Sequence, residues 1–337
     1  MKTKTIALIG ATAFAAASLM ASETSRSLKV LAIGNSFSQS LMAQLPACAK
    51  ELPGVDLDFA TLVIGGCPLK RHWSNVTNSC DAEFLPYSVR WSFASAPDKK
   101  GQPFGDAVKN GKSNIPQMLK AVKWDIVTIQ QASPASWDEG TYQPYADNLI
   151  AKIRELAPQA EIRVHQTWAY CNADKRICSD ATPGKPGTWG FNQQGMYERL
   201  TSAYNKVAAK HHLKVIPSGD AVEAYRKALP VTFKPPTDEQ MATFKNGELP
   251  DMGGEPVGAY RWGKGGSRGS KAKDNDINKL RVDSIHLNEE GKYLQACTWL
   301  AALFDDDLSR LAYKPQFLSE EKAALMRECA VKAVKAR

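Results

Sequence analysis

The order of apolar runs along this chain predicts an α/β fold: a three-layer α/β/α sandwich around a central, parallel, five-stranded sheet. Three observations carry that expectation. Short β-rich runs alternate with helix-length amphipathic segments, the pattern of successive βαβ units. Runs such as Val30–Ile33 (VLAI) and Asp125–Ile129 (DIVTI) are nearly continuously apolar, as strands covered on both faces are. The composition, 43% hydrophobic and 23% charged over 337 residues, is that of a globular protein, and no internal repeat interrupts it.

The elements follow in order. Leu28–Ile33 is the first strand, and Ser40–Lys50 reads as a helix that Pro46 can kink. Leu57–Ile64 is the second strand. A helix over Ile115–Lys123 leads into the third, Trp124–Gln130. Helices over Tyr145–Ala157 and Met196–His212 precede the fourth and fifth, Glu161–Gln166 and Leu213–Pro217. Helices over Glu289–Phe304 and Glu320–Lys335 come last. Two stretches depart from the alternation. Residues 71–112 are aromatic and have hairpin character in PYSVRWSFAS, and residues 234–281 are rich in Pro, Gly and Lys. Loops of that length in a compact domain are commonly functional or disordered.

The first residues read as a leader rather than as fold. MKTK is a basic n-region, TIALIGATAFAAASLM an apolar h-region, and small residues follow, so residues 1–22 are expected to be a signal peptide cleaved near Ala21 or Ser22. No Cys stands at that junction to take a lipid, and no later run has the length of a membrane span. Residues 23–337 are then a single exported domain, secreted or periplasmic. The net charge of +8 and the pI of about 9.0 point only weakly to nucleic acid in an exported protein. Seven cysteines remain: Cys48, Cys67, Cys80, Cys171, Cys178, Cys297 and Cys329. In an oxidising compartment some are expected to pair, Cys171–Cys178 first because they bracket a short polar loop, then Cys67–Cys80. Closely spaced zinc-ligand pairs are missing, and the neighbours His211 and His212 point apart on a helix. Neither a metal nor a cofactor is expected.

In doubly wound sheets the chemistry lies at the carboxyl ends of the strands. The first strand ends in Gly34-Asn35-Ser36, the second in Gly65-Gly66, the third in Gln130-Gln131 and the fourth in Thr167-Trp168. Asp283 and His286 stand just before the late helix. Taken alone, Ser36 is more readily a helix cap than a nucleophile, and Ser38 is an equal candidate for the cap. Asp283 and His286, three apart in a turn or first helical turn, can share a face. The Asp can then hold one imidazole nitrogen and leave the other as a base. Together the strand ends supply a nucleophile, a base, its orienting acid and oxyanion donors, the set that acyl transfer needs. Ser267 in GGSRG lacks the strand–turn–helix setting of a nucleophile elbow, and GAYRWGKG (Gly258–Gly265) lacks the final Ser or Thr of a P-loop.

These motifs resemble those of the SGNH, or GDSL-like, hydrolases, in particular a subgroup of secreted bacterial members. The resemblance runs from Val30 to about Phe304 and rests on IGNSFSQS and DSIHLNEEGKYL, with GG and QQAS weaker. It implies an SGNH-hydrolase, flavodoxin-like sheet, with Ser36 as nucleophile, His286 as base and Asp283 as its partner. It also implies an oxyanion hole made by the backbone N–H groups of Ser36 and Gly66, with Gly65 the competing choice. Two departures stand out. The first motif reads Gly-Asn-Ser instead of Gly-Asp-Ser, and the third-motif Asn is missing, with Gln131 or Gln130 in its region. A donor that fails to reach costs about 3–4 kcal/mol of transition-state stabilisation.

The implied activity is ester hydrolysis, with small acyl groups such as O-acetyl on a glycan as the favoured substrate. Trp73, Trp137, Trp168 and Trp262 are near strand ends and could meet sugar faces, although aromatic side chains more commonly fill cores. His72 and His165 could line the cleft. His72, Trp168 and Trp262 are the substrate-binding expectation. The cations of Arg261–Lys273 read as a solvated loop that would add positive potential if it bordered the site. The alternatives are a non-catalytic glycan-binding protein on the same scaffold, or a lipase or thioesterase, which would call for more apolar loops.

Overall fold

The structure is a computed structural model, and it describes residues 26–93, 103–178, 188–229, 232–263 and 279–337. The expected signal peptide and the greater part of the Arg261–Lys273 run, Ser267 included, lie outside the described residues.

The chain opens with β1 (Arg26–Gly34), whose second half is fully buried. The segment expected as one helix over Ser40–Lys50 is divided. A four-residue α1 (Ser36–Gln39) passes through a 3-10 turn into α2 (Leu45–Lys50). Pro46 falls in the first turn of α2, where its missing N–H costs nothing. Next come β2 (Val55–Val63), α3 (Leu69–Thr77), β3 (Tyr87–Ser92), β4 (Lys112–Ser113), α4 (Ile115–Ala121) and β5 (Ile126–Ile129). The second half holds α5 (Tyr145–Leu156), β6 (Glu161–His165), α6 (Gln193–His211), β7 (Lys214–Ile216), α7 (Ser218–Ala228) and α8 (Asp238–Thr243). A hairpin of β8 (Val257–Gly263) and β9 (Lys279–Leu287) then leads into α9 (Glu289–Phe304) and α10 (Glu320–Lys335).

Among the described residues the central sheet has seven strands in the order β4-β3-β2-β1-β5-β6-β7. The five expected strands are its parallel part, and their order is the flavodoxin-like 2-1-3-4-5. The two additional strands come from the 71–112 stretch. PYSVRWSFAS supplies β3, which runs antiparallel to β2 and carries the short β4 at the sheet edge. The chain leaves β1 toward β2 on one side and later toward β5 on the other. Right-handed crossovers therefore deliver helices to opposite faces. The helices α2, α7, α9 and α10 pack on one another, while α3, α4 and α5 form a second group. Val30–Ile33 and Trp299 of α9 are at most 1% exposed in the core between. None of the described helices is long and apolar enough to cross a membrane.

None of the seven cysteines forms a disulfide. The expected Cys171–Cys178 bridge is not formed, and the two ends of that loop have different partners. The Cys171 N–H donates to Ser284 O of β9 at 3.1 Å. The Cys178 N–H donates to Phe191 O at 2.7 Å, and its thiol donates to Thr188 Oγ1. Cys67 is buried and Cys80 exposed, so that second pairing is not formed either.

Candidate active site

The parallel order puts its switch point between β1 and β5, and the crevice there is where Ser36 is presented. Asn35, not Ser38, caps α1: its side-chain oxygen accepts from the Phe37 N–H at 3.1 Å. Ser38 is buried and donates to Gln130 Oε1. Ser36 is thus released from capping, and its Oγ lies 2.8 Å from His286 Nε2.

The Asp283–His286 pair sits on a strand, not on the expected turn or helix. Side chains three apart on a regular strand face opposite ways, so the strand must be deformed. The register shows how. Val257 pairs with Leu287 and Ala259 with Asp283, so two steps on β8 face four on β9. This is a bulge over Ser284–His286, a device that re-aims side chains beside sites. Asp283 Oδ1 closes it by accepting from the Ile285 and His286 N–H groups, each at 3.2 Å. Opposite the bulge, Gly258 has φ +100, and a Cβ there would meet Asp283 O at 3.0 Å and Cys171 Sγ at 2.9 Å. Only glycine fits that approach.

His286 Nδ1 then lies 2.9 Å from Asp283 Oδ2 and 3.1 Å from Oδ1. A carboxylate can only accept, so Nδ1 carries the proton and Nε2 turns a lone pair to Ser36 Oγ–H. Burial opposes ionisation of Asp283. The hydrogen bond and charge of His286, together with the two backbone N–H groups, outweigh it and hold the carboxyl at about 2.

The second-strand glycines form an exposed turn closed by Cys67 N–H donating to Ile64 O at 3.2 Å, with Gly66 at φ +62. Ile64 N–H donates to Gly34 O, and Asn35 Nδ2 donates to Cys67 O, each at 3.3 Å, so the Gly66 turn is tied to the Ser36 segment. In front of Ser36 opens a cleft of about 560 Å3, lined by Asp283, His286, Arg90, Arg261 and Lys292 among others.

Gln131 does not turn its amide to this cleft. Its Oε1 accepts from Leu69 N–H and Ala132 N–H at 2.9 Å, and its Nε2 donates to Thr141 O and Oγ1 at 3.1 Å. Its acceptor and donors are spent on holding loops together, which corrects its expected place in the oxyanion hole. Gln130 is committed too. Its Nε2 donates to Asn35 Oδ1 at 2.9 Å, and its Oε1 accepts from Ser38 and, at 3.0 Å, from His165 Nδ1.

Two of the substrate-binding expectations, Trp168 and His72, are also corrected. Trp168 is 0% exposed, stacked on Phe37 at 4.0 Å, with its Nε1 donating to Ile285 O at 2.9 Å. It supports the bulge from below and reaches no sugar. His72 is buried against Tyr87, 2.9 Å from the hydroxyl. Trp262 is half-buried, and its Nε1 donates to Glu248 O at 2.8 Å. Trp137 packs with Trp189 and Phe191.

His165, expected at the cleft, is fully buried, bonded to Gln130 at one nitrogen and to Ser218 Oγ at the other, each at 3.0 Å. Its neutral form is the one that fits, and burial lowers its pKa to about 3. Burial, with help from the Arg71 charge, does the same to His72. Unfolded histidine titrates near 6.5, so between about pH 6.5 and about pH 3 the unfolded chain binds more protons than the folded one. Stability should therefore fall on acidification across that window, by up to about 1.4 kcal/mol per pH unit for each histidine. Urea midpoints measured along that range check this, and a flat profile would contradict it.

The Ser36 hydroxyl, the His286 imidazole and the Asp283 carboxylate stand in line at the switch point of a 2-1-3-4-5 sheet. The chain belongs to the DUF4886 family, a domain of unknown function, whose family model matches residues 29–230. That segment includes Ser36 and ends before Asp283. A DUF4886 family protein from Bacteroides uniformis ATCC 8492 is 25% identical, with a TM-score of 0.62 over 92% of this chain and 95% of that one. A candidate SGNH hydrolase from Slackia heliotrinireducens is similar at 16% identity and TM-score 0.40, over 80% of this chain and 96% of that one. A candidate GDSL-like lipase from Parabacteroides merdae ATCC 43184 is similar at 10% identity and TM-score 0.41, over 93% and 98%. No functionally curated protein matches the chain in sequence.

Proposed function

We propose that this protein is an exported serine esterase that removes small acyl groups, foremost acetyl, from a glycan through an acyl-enzyme. The observation that carries the reading is the line Ser36 Oγ–His286 Nε2, 2.8 Å, with Asp283 behind Nδ1. His286 takes the Ser36 proton as Oγ attacks the ester carbonyl, and it returns that proton to the departing sugar hydroxyl. A water then repeats the sequence on the acyl-enzyme, with His286 again as base. Asp283 stays ionised throughout and stabilises the imidazolium. The oxyanion is assigned to the backbone N–H groups of Ser36 and Gly66. With both glutamines committed elsewhere, no side-chain amide from the third strand end joins them, and turnover should be slower than in a site with three donors.

Among the described residues the cleft combines Gln39, Ser40, Asn288 and Glu289 with Met42 and Leu287. The polar and charged side chains on this otherwise largely apolar wall support a hydrated alcohol such as a sugar as the leaving group. The leader-like first residues support export. The reading is tested with a serine-reactive fluorophosphonate on the wild type, Ser36→Ala and His286→Ala. The wild type should label, Ser36→Ala should not, and His286→Ala should label far more slowly. Equal labelling of Ser36→Ala, or no labelling of the wild type together with no acetate release from acetylated polysaccharides, would overturn it.

A further inference from the structure

The cleft beside Ser36 carries positive charge that ester hydrolysis does not use. Arg90 of β3 and Arg261 of β8 line it from two separate elements, and both residues are exposed. Neither guanidinium has a hydrogen-bond or carboxylate partner among the described residues. The other charges lining the cleft are already matched: Lys292 pairs with Glu289, and Asp283 is turned to His286. Directly across the hairpin from Arg261 stands Arg281, whose Nε donates to Gly263 O. Like charges facing one another on paired strands are unfavourable. Among the described residues the hairpin therefore presents a cationic face with no carboxylate partner at the mouth of the cleft. Arg90 arises from the antiparallel addition to the sheet, next to β2, so its position does not depend on the hairpin.

We propose that Arg90 and Arg261 form an anion subsite, and that the acylated sugar this cleft takes bears a carboxylate or a sulfate close to its ester. This rests on the serine-esterase reading. A guanidinium offers a planar fork that matches the paired oxygens of either group, which a lysine ammonium does not. Two forks from separate strands can hold a sugar by its anionic substituent while the ester reaches Ser36.

The test compares three small esters: an O-acetylated glucuronoside, an O-acetylated glucoside sulfate and the neutral O-acetylated glucoside. For the wild type, kcat/KM for at least one anionic ester should exceed that for the neutral one by about tenfold. The ratio should fall toward one in the double variant Arg90→Gln/Arg261→Gln, mainly through KM, and should shrink as salt is raised. Whichever anionic ester is preferred identifies the group, and either preference supports the subsite. Equal kcat/KM for all three in the wild type, or a ratio unmoved in the double variant, would overturn it while leaving the esterase intact. If none of the three is hydrolysed, fluorophosphonate labelling decides the esterase reading, and calorimetry decides the subsite. Binding of glucuronoside or glucoside sulfate by the wild type, lost in the double variant, supports it, and absence of binding overturns it.

Discussion

Replacing Asp283 with asparagine should lower kcat by about 10⁴-fold while changing KM little. The size of the effect follows from which atoms are already engaged. Asp283 Oδ1 accepts from two backbone N–H groups that close the β9 bulge, and the same carboxylate accepts from His286 Nδ1. In Asp283→Asn the bulge demands the amide oxygen, so the amide NH2 is left facing Nδ1. Two donors cannot face each other, so the proton moves to Nε2. That nitrogen then presents N–H to Ser36 Oγ and cannot take its proton. The bulge survives, the serine stays in place, and the base is in the wrong tautomer. Acetate release and the rate of fluorophosphonate labelling should both fall. A loss smaller than about tenfold would mean that His286 does not depend on Asp283 for its tautomer.

The parallel core and the candidate triad were legible in the sequence because both rest on local signals. Apolar runs mark buried strands, and Gly34-Asn35-Ser36 and D-x-x-H are short enough to read directly. What was not legible depended on distant partners. The strand β3 is not apolar throughout, and only its antiparallel pairing with β2 makes it part of the sheet. Asn35 is a good cap by type, yet two serines nearby were equally good, and burial of Ser38 against Gln130 decides between them. Gln131 sits at the strand end where a donor was expected, but Leu69 and Thr141, far away in sequence, claim its amide. Trp168 and His72 are at sites where an aromatic can either stack on a ligand or fill the core, and their packing against Phe37 and Tyr87 settles it. The i,i+3 spacing of Asp283 and His286 suggested a helical turn. A bulge on a strand gives the same proximity, and nothing local separates the two.

Substituting Gln130 with leucine should destabilise the fold by about 3 kcal/mol or more and lower kcat more than tenfold. Gln130 is the hinge of a buried chain that runs Ser218, His165, Gln130, Asn35, Cys67. Its oxygen accepts hydrogen bonds from Ser38 and His165, and its nitrogen donates one to Asn35. Leucine would orphan two donors in a dry core and free the Asn35 side chain, which caps the turn that presents Ser36 and also holds the Gly66 loop. Both proposed oxyanion donors would shift relative to the nucleophile, and displacements of that kind reduce rate without removing any reacting group. Gln131→Leu is the control. It also strips a buried amide of its partners and should cost comparable stability, but its bonds run to Leu69, Ala132 and Thr141, none of which touches Ser36. Urea denaturation should therefore place the two variants close together, and kcat measured well below their melting temperatures should separate them. Equal losses of kcat would show that Gln130 acts through general stability, and the chain from Ser218 to Cys67 would then have no part in positioning the serine.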